Sequence, residues 1–349
     1  SNGYDVITVA PPDDYVPKLS KLGVRFVPIQ MENKGKHVGR DLMLLWRLFR
    51  IFLQEKPDVF LAYTVKPNVY GSLSAHVLGI PVVNNISGLG AVFINRGWLT
   101  FLVQALYRLS LSRSVKVFFH NEDDRRLFVE GNLVPAKKTD RLPGSGVDLC
   151  HFNTALFPKT TTSTRMKKIR FLLIARLLWD KGVGEYVNAA QTLASLKTEV
   201  EFCLLGFLDV ENPAAIKREQ MDIWVAEGVV SYLGTRDDVR KDIAEADCVV
   251  LPSYREGTPR TLLEAAAMEK PIITTNAEGC KDVVDDGING FLCKPRDAQD
   301  LAEKMIRFIN LSSEQRNAMG LAGRKKMERE FDEKTVITRY LDLIRDICG

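Results

Sequence analysis

The feature that most constrains this chain is an alternation of short apolar runs with amphipathic stretches along nearly its whole length. This alternation is typical of parallel sheets covered by helices, because parallel strands need crossover connections that are usually helical. Strands are predicted at Tyr4–Ala10, Val24–Ile29, Asp58–Thr64, Pro81–Ile86, Val115–His120, Lys168–Ala175, Val200–Leu205, Val229–Leu233, Cys248–Pro252 and Pro271–Thr275. Helices are predicted between the first five runs and after the fifth, at about residues 13–22, 40–55, 67–79, 97–112 and 121–131.

A break in this pattern divides the chain. Residues 153–167 are polar, rich in Thr and without periodicity, which predicts a linker. A length of 349 residues suits two domains. We therefore expect two doubly wound, Rossmann-like α/β domains facing a cleft, at residues 1–152 and 168–330. A final helix in residues 331–349 could pack back on the first domain.

Composition excludes several classes of protein. Apolar residues make up 46% and charged residues 26%, as in soluble globular proteins. A net charge of +4 is too small to indicate nucleic-acid binding. The six cysteines are scattered and the four histidines do not cluster, so we expect reduced thiols, no metal site and no bound cofactor.

The most informative motif is the run from Leu251 to Ala267, because ligands of doubly wound sheets bind beyond the carboxyl ends of the strands. The run predicts a strand, a loop with Glu256, and a helix that begins near Pro259 and contains Glu264. Backbone N–H groups at that helix start suit a phosphate, and the two carboxylates suit sugar hydroxyls. Glu264 could equally be an ordinary glutamate favoured by the helix dipole.

Two further strand ends carry candidate binding residues. Arg176 and Lys181 follow one strand, where two cations would neutralise a diphosphate leaving group. A solvated loop lysine is the alternative for Lys181. Gly206 ends the next strand, where it would allow either close approach of a ligand or a plain turn.

These runs, in this order and spacing, resemble glycosyltransferase family 4, whose members have the two-domain GT-B fold. The similarity continues through Tyr232–Thr235, Ala246–Ser253, Gly279–Val284 and Gly287–Leu292. It implies a retaining transferase without bound metal, in which Arg176 and Lys181 contact the donor diphosphate. It also implies that Glu256 contacts the donor sugar and Glu264 the ribose.

The same resemblance implies further donor contacts. The loop residues Gly257, Thr258, Pro259 and Arg260 would hold the sugar and the phosphate. The nucleobase would lie near Leu233, Gly234 and Thr235.

The N-terminal half resembles the group of this family that acts on polyprenyl-diphosphate-linked acceptors. The resemblance rests on Lys56–Gly71, Val83–Phe93 and Phe118–Asp124. It implies an acceptor site formed by Lys66, Asn68, Ser87, Gly88, His120 and Asn121. Lys66 could pair with an acceptor phosphate or extend along the surface.

Two of these positions depart from the family pattern. Ser87 stands where many members have His, and His120 stands where Gln is common in the group. A histidine-assisted mechanism is therefore in doubt. His120 could equally be a structural, hydrogen-bonded side chain.

Two stretches combine apolar, aromatic and Arg residues in a way that suits a membrane interface, Asp41–Phe52 and Gly97–Arg113. For the first, we favour a core helix with solvated arginines. For the second, which lies near Lys116, we favour the interface.

The beginning of the chain also departs from the family. The family's first strand, glycine loop and first helix would precede Gly3 and are absent. That strand is central in a doubly wound sheet. We therefore expect this chain to be a fragment, with a gap or unpaired edge between Tyr4–Ala10 and the later strands.

The sequence thus predicts a retaining glycosyltransferase that moves a sugar from a nucleotide-sugar, with UDP as the expected nucleotide, to a lipid-linked glycan. We expect a cytoplasmic protein, peripheral at the inner membrane, that binds no nucleic acid. The alternatives are a catalytically silent nucleotide-sugar or lipid-binding protein and a nucleotide-sugar epimerase of the same architecture.

Overall fold

The computed structural model describes residues 3–31, 38–89, 98–157, 168–195, 199–208, 210 and 212–349. The chain forms two compact units. The first contains Ser1–Phe118, Phe128–Asp140 and Asp346–Gly349, and the second contains Phe119–Leu127 and Arg141–Arg345.

The first unit contains a two-stranded parallel sheet and most of a four-stranded sheet. The smaller sheet pairs β1 (Ile7–Ala10) with β2 (Arg25–Pro28). The larger sheet has the order β3 (Phe60–Tyr63), β4 (Val82–Ile86), β5 (Lys116–Phe119) and β6 (Thr139–Arg141). Among the residues described, β1 and β2 pair with each other and not with the larger sheet, so the expected gap separates Tyr4–Ala10 from the strands of that larger sheet.

In the described residues five helices follow these strands, and the second of them contributes one of its faces to the local core. They are α1 (Val16–Lys21), α2 (Val38–Glu55), α3 (Ser72–Val77), α4 (Trp98–Leu111) and α5 (Glu122–Glu130). A π-helical turn at Pro67–Gly71 leads into α3. Helix α2 buries Leu44, Leu48 and Phe52, which are spaced by four residues and therefore share one face.

The second unit contains a six-stranded parallel sheet in the order β12-β11-β10-β7-β8-β9. Its strands are β7 (Ile169–Ile174), β8 (Val200–Leu205), β9 (Ser231–Tyr232), β10 (Cys248–Leu251), β11 (Ile272–Thr275) and β12 (Gly290–Cys293). From β7 the chain proceeds to one edge, and from β10 it proceeds to the other. The strand order therefore reverses between β7 and β10, which is the topological switch point.

Helices cover both faces of this sheet. They are α6 (Val183–Ser195), α7 (Arg218–Ala226), α8 (Arg240–Glu245), α9 (Arg260–Ala267), α10 (Ala298–Ile309) and α11 (Ser313–Glu330), and α12 (Glu333–Cys348) follows α11 in the chain. Alternate residues of β7 enter opposite cores: Phe171 and Leu173 belong to one cluster, Leu172 and Ile174 to the other. Burial of both faces explains the continuous apolar run.

The architecture confirms the predicted fold class. All ten predicted strands are present, most of them slightly shorter than predicted. Strands β6 and β12 were not predicted, because β6 is the polar tripeptide Thr139–Arg141 and β12 begins with a glycine. Of the predicted linker, residues 153–157 include a 3₁₀ turn at Thr154–Leu156, and residues 158–167 lie outside the described part.

Candidate active site

The switch point of the second unit brings the two principal motifs together. Arg176 and Lys181 follow β7, and Glu256 follows β10, its neighbour in the sheet. The chain leaves these two strands toward opposite edges, and ligands of doubly wound sheets bind at such a point.

A 3₁₀ turn at Trp179–Lys181 presents Lys181 against the end of β10. Gly182 ends this turn with a φ of 74°, and a Cβ there would lie 2.1 Å from the Pro252 carbonyl oxygen. The Tyr254 N–H donates to the Asp180 carbonyl at 3.0 Å. Glycine is therefore required where the turn meets the loop after β10.

Lys181 and Glu256 form an ion pair in which the Lys181 Nζ donates to the Glu256 Oε1. Each side chain is only 16% exposed. The pair lies where the resemblance implies the donor diphosphate and sugar. Each charge neutralises the other in this partly buried setting. Arg176, two positions after the end of β7, is exposed.

Helix α9 begins at Arg260 after Pro259, as predicted, and carries Glu264 one turn further on. Glu264 is buried, and burial raises the pKa of its carboxyl above the ordinary value, with the Arg260 guanidinium at 3.5 Å opposing this. A buried carboxylate near a single exposed guanidinium gains from additional hydrogen-bond donors such as ribose hydroxyls.

Gly206 has a structural reason to be glycine. Its φ is 147°, and a Cβ would lie 1.7 Å from the Ala175 carbonyl oxygen. Its N–H donates to the Gly234 carbonyl at 2.8 Å, which joins the ends of β8 and β9. The predicted nucleobase residues, Leu233, Gly234 and Thr235, directly follow β9 in the chain. The Arg236 Nη1 donates to the carbonyls of Leu233 and Thr235.

His120 and Asn121, predicted as acceptor residues, lie against the loop that carries Glu256. The Asn121 Nδ2 donates to the Gly257 carbonyl at 3.0 Å, and the Thr258 Oγ1 donates to the His120 carbonyl at 3.1 Å. In the sequence, Asn121 stands directly before α5, where Asn is a favoured cap residue. In the structure its Oδ1 accepts the Asp124 N–H. The contact with the loop had no sequence signal.

The His120 imidazole is largely buried. Burial lowers its pKa to about 4, so the ring is neutral at physiological pH. Within the described residues its Nε2 has no hydrogen-bond partner.

In the first unit, Lys66 and Asn68 differ in accessibility. The Lys66 Nζ donates to Asp41 at 2.8 Å at the edge of a cavity of about 480 Å³. Asn68 is buried, donates to the Asn85 carbonyl and accepts from Asn84. Both polar atoms of Asn68 are thus used inside the unit, whereas Ser87 is exposed and Gly88 has a φ of 147°.

Among the described residues, no three His, Cys, Asp or Glu side chains are placed to hold a metal ion. None of the described helices is long and apolar enough to cross a membrane.

Comparison with known proteins agrees with this geometry. The family model described as "Glycosyl transferase 4-like domain" matches residues 1–144, and "Glycosyl transferases group 1" matches residues 159–326. A Campylobacter jejuni protein named N,N'-diacetylbacillosaminyl-diphospho-undecaprenol alpha-1,3-N-acetylgalactosaminyltransferase is 29% identical, covering 97% of this chain and 90% of that protein. An Escherichia coli protein named UDP-Gal:alpha-D-GlcNAc-diphosphoundecaprenol alpha-1,3-galactosyltransferase is 23% identical, covering 92% and 82%.

Solved structures share the fold. A glycosyltransferase from Rickettsia africae superposes with a TM-score of 0.79 at 17% identity, covering 99% of this chain and 90% of that one. HepE from Anabaena in complex with UDP-glucose superposes with a TM-score of 0.78 at 18% identity, covering 97% and 91%. This chain is a glycosyltransferase of the GT-B fold, with a family-4-like N-terminal part and a group 1 C-terminal part.

Proposed function

We propose that this glycosyltransferase transfers a sugar from a UDP-sugar to a polyprenyl-diphosphate-linked glycan, with retention of configuration at the anomeric carbon. The observation that carries the proposal is the placement of Lys181 and Glu256 together at the switch point, beside the start of α9.

The donor diphosphate would bind the two cations after β7. Arg176 and Lys181 would neutralise the charge that develops on the leaving UDP. Because the Lys181 Nζ donates to the Glu256 carboxylate, an arriving diphosphate would compete for this ammonium group. The Glu256 carboxylate would then accept hydrogen bonds from the donor sugar, and Glu264 would accept them from the ribose.

Retention would follow from attack on the same face of the sugar as the leaving group. In this scheme the donor phosphate accepts the proton of the attacking hydroxyl, and Glu256 orients the sugar instead of acting as a nucleophile. Catalysis then consists mainly of positioning and leaving-group stabilisation.

The UDP assignment is supported by proteins of similar sequence or fold. HepE from Anabaena was solved with UDP and with UDP-glucose, and the E. coli relative is named for a UDP-Gal donor. The lipid-linked acceptor is supported by the undecaprenyl diphosphates in the names of the C. jejuni and E. coli relatives.

The cavity in the first unit would receive the acceptor diphosphate. Arg40, Arg47 and Lys66 line one part of it, and guanidinium and ammonium groups suit phosphate oxygens. Ile29, Met31 and Met43 are among its apolar lining residues and would contact the first isoprenoid units.

The membrane surface would be met by α2. This helix exposes Val38, Leu42, Trp46 and Leu53 along one face, and the Arg50 guanidinium lies 4.9 Å from the Trp46 ring centre. Exposed apolar and aromatic side chains flanked by arginines are typical of interfacial helices. Helix α4, which the sequence favoured, exposes Phe101 and Leu109, but its Arg108 donates to the carbonyls of Gly131 and Asn132.

The proposal is tested by incubating the protein with a panel of UDP-sugars and an undecaprenyl-diphosphate-linked N-acetylated sugar in detergent. We expect mass spectrometry to show a product one sugar heavier, and proton NMR to show the donor's anomeric configuration. GDP- and ADP-sugars, and an acceptor sugar without its lipid, are the controls. Transfer only from a control nucleotide, an inverted product, or UDP binding without transfer would contradict the proposal.

A further inference from the structure

The loop that carries Glu256 is held by a short segment that is distant in sequence. Within the second unit, residues 255–258 each contact residues 120–124 through a side chain or a carbonyl. We call the segment 120–124 the α5 clamp.

Asn121 is the central member of the clamp and is fully buried. Its Oδ1 accepts the Asp124 N–H at 2.8 Å, which fixes the orientation of the amide. The Nδ2 therefore faces the loop, where it donates to the carbonyls of Gly257 at 3.0 Å and Glu256 at 3.4 Å, and it also donates to the Asp124 Oδ2 at 3.2 Å. The side chain links the start of α5 directly to the backbone of Glu256.

Asp124 supplies the second link. Its fully buried carboxylate accepts from the Arg255 Nη2, directly before Glu256 in the chain. A buried charge that loses its partner is strongly unfavourable, so this ion pair ties Arg255 to the clamp. Nearby, the Lys281 Nζ contacts Asp123 at 2.8 Å.

The opposite side of the loop is also fixed. The Glu256 N–H donates to the Glu278 carbonyl at 3.0 Å. Gly279 has a φ of 77°, and a Cβ there would lie 2.3 Å from the Gly257 carbonyl oxygen. With the loop enclosed on both sides, the backbone of Glu256 can occupy only a narrow range of positions.

We propose that Asn121 and Asp124 are positioning residues that hold the Glu256 carboxylate where the donor sugar binds. They act through the loop backbone and do not touch the donor. This inference rests on the proposed role of Glu256 in sugar binding. It also gives Asn121 a different task from acceptor binding, since its amide nitrogen and oxygen both have partners inside the protein.

The first test is Asn121→Ser. Serine is a good helix cap, so α5 retains its start, but the shorter side chain loses the bonds to the loop. We expect kcat to fall about 10- to 100-fold, as for a small misplacement of a catalytic group, with the Kd for UDP changed less than about threefold. We expect kcat and the Kd for UDP to respond differently because the α5 clamp holds Glu256, which is proposed to bind the sugar. Lys181 and Glu264, which are proposed to bind the diphosphate and the ribose, lie on other parts of the site.

The second test is Asn121→Asp, which keeps the shape and the cap but turns an oxygen toward two carbonyl oxygens. We expect a larger fall in kcat than for Asn121→Ser. Asn188→Asp, at an exposed position of α6, is the matched control for the same change of charge and should turn over as the parent does.

Several results would overturn the inference. Parental kcat in both Asn121 variants would do so. A rise in the acceptor KM at unchanged kcat would show acceptor binding instead. A joint loss of UDP affinity, kcat and melting temperature would show a purely structural role. Parental turnover in Glu256→Gln is a separate outcome, because it would overturn the proposed donor site itself.

Discussion

The Lys181 ammonium group and the Glu256 carboxylate pair across the ends of two neighbouring strands, although they are 75 positions apart in sequence. Neither group lies on the strand that precedes it in the chain. The 3₁₀ turn after β7 presents the lysine, and the loop after β10 presents the glutamate. In the proposed reaction the donor diphosphate binds the Lys181 ammonium group. The Glu256 carboxylate then accepts hydrogen bonds from the donor sugar.

This ion pair predicts that the stability and the activity of variants at Lys181 and Glu256 do not change in parallel. Lys181→Met or Glu256→Gln alone should lower the free energy of unfolding by about 1–3 kcal/mol, because each removes one side of a charged hydrogen bond with little exposure. The double variant should recover part of that loss, since no unpaired charge remains, yet should transfer no sugar. Urea unfolding and turnover of all four proteins check this. Additive losses in the double variant would contradict the pairing.

We expect the Glu264 carboxylate to lower the stability of the folded state and to strengthen binding of the donor. Burial raises the pKa of this carboxyl above 4.5, so the folded chain binds this proton more tightly than the unfolded chain does. Stability is therefore lost as the pH rises through the raised pKa. Glu264→Gln should be more stable than the parent at neutral pH, with the gain shrinking as the pH falls toward 4.5.

The same substitution should weaken UDP binding, because glutamine accepts ribose hydrogen bonds less strongly than a carboxylate. Unfolding curves at several pH values and titration calorimetry with UDP measure the two effects. A variant that is destabilised at neutral pH and binds UDP normally would show that Glu264 is an ordinary helix residue.

Two glycines in the donor region should respond differently to alanine. Gly206→Ala places a Cβ 1.7 Å from a carbonyl oxygen and should cost about 3 kcal/mol or more. Gly234 has a φ of 77°, and the nearest atom to an added Cβ among the described residues is the Arg236 Nη1 at 3.9 Å, so only backbone strain of about 1–2 kcal/mol is expected for Gly234→Ala. Chemical unfolding of both variants measures the difference. Equal effects would mean that the close approach of β7 and β8 is not what requires Gly206.

His120 should not titrate near neutral pH. Burial lowers its pKa from 6.5 to about 4, so the unfolded chain binds a proton that the folded chain does not. Stability from this group is present above the unfolded value and is lost as the pH falls through about 6.5 toward 4. His120→Gln should lose less stability than the parent between about pH 7 and pH 5.

Imidazole NMR signals across the same pH range provide the direct measurement. The signal of His120 should stay in its neutral position over this range. A titration of His120 near its ordinary value would place the ring in water and reopen a role for it in proton transfer.

Helix α2 should mediate binding to anionic membranes. Leu42→Ser with Trp46→Ser should reduce co-sedimentation with vesicles that contain phosphatidylglycerol, because it removes exposed apolar area from the interfacial face. Arg50→Glu should reduce binding mainly at low salt. Ile223→Ser, an exposed apolar residue of α7, is the control. Equal sedimentation of all variants would contradict an interfacial role for α2.

Much of the fold could be predicted because burial of parallel strands on both faces produces continuous apolar runs such as Phe171–Ile174. The positions of the candidate donor residues could be predicted because each follows such a run, and strand ends of a doubly wound sheet converge; their roles in donor binding stay predictions. Gly206 shows the limit of this reasoning, since only coordinates reveal that the Ala175 carbonyl occupies the space of its side chain.

The contacts of Asn121 with the donor loop could not be predicted. They join residues 136 positions apart, and neither end is marked by periodicity or charge. In the sequence the side chain is a helix cap next to three acidic residues, which is equally typical of an ordinary helix start. The domain boundaries and the roles of Lys66, Asn68, Ser87 and Gly88 in acceptor binding stay predictions.

The most direct test of the account compares Glu256→Gln with the parent in two assays on the same preparations. One measures UDP binding by titration calorimetry, and the other measures sugar transfer from a UDP-sugar to an undecaprenyl-diphosphate-linked acceptor. We predict that the variant binds UDP within about threefold of the parent and transfers sugar on the order of 100-fold more slowly. Parental transfer by Glu256→Gln would contradict the account.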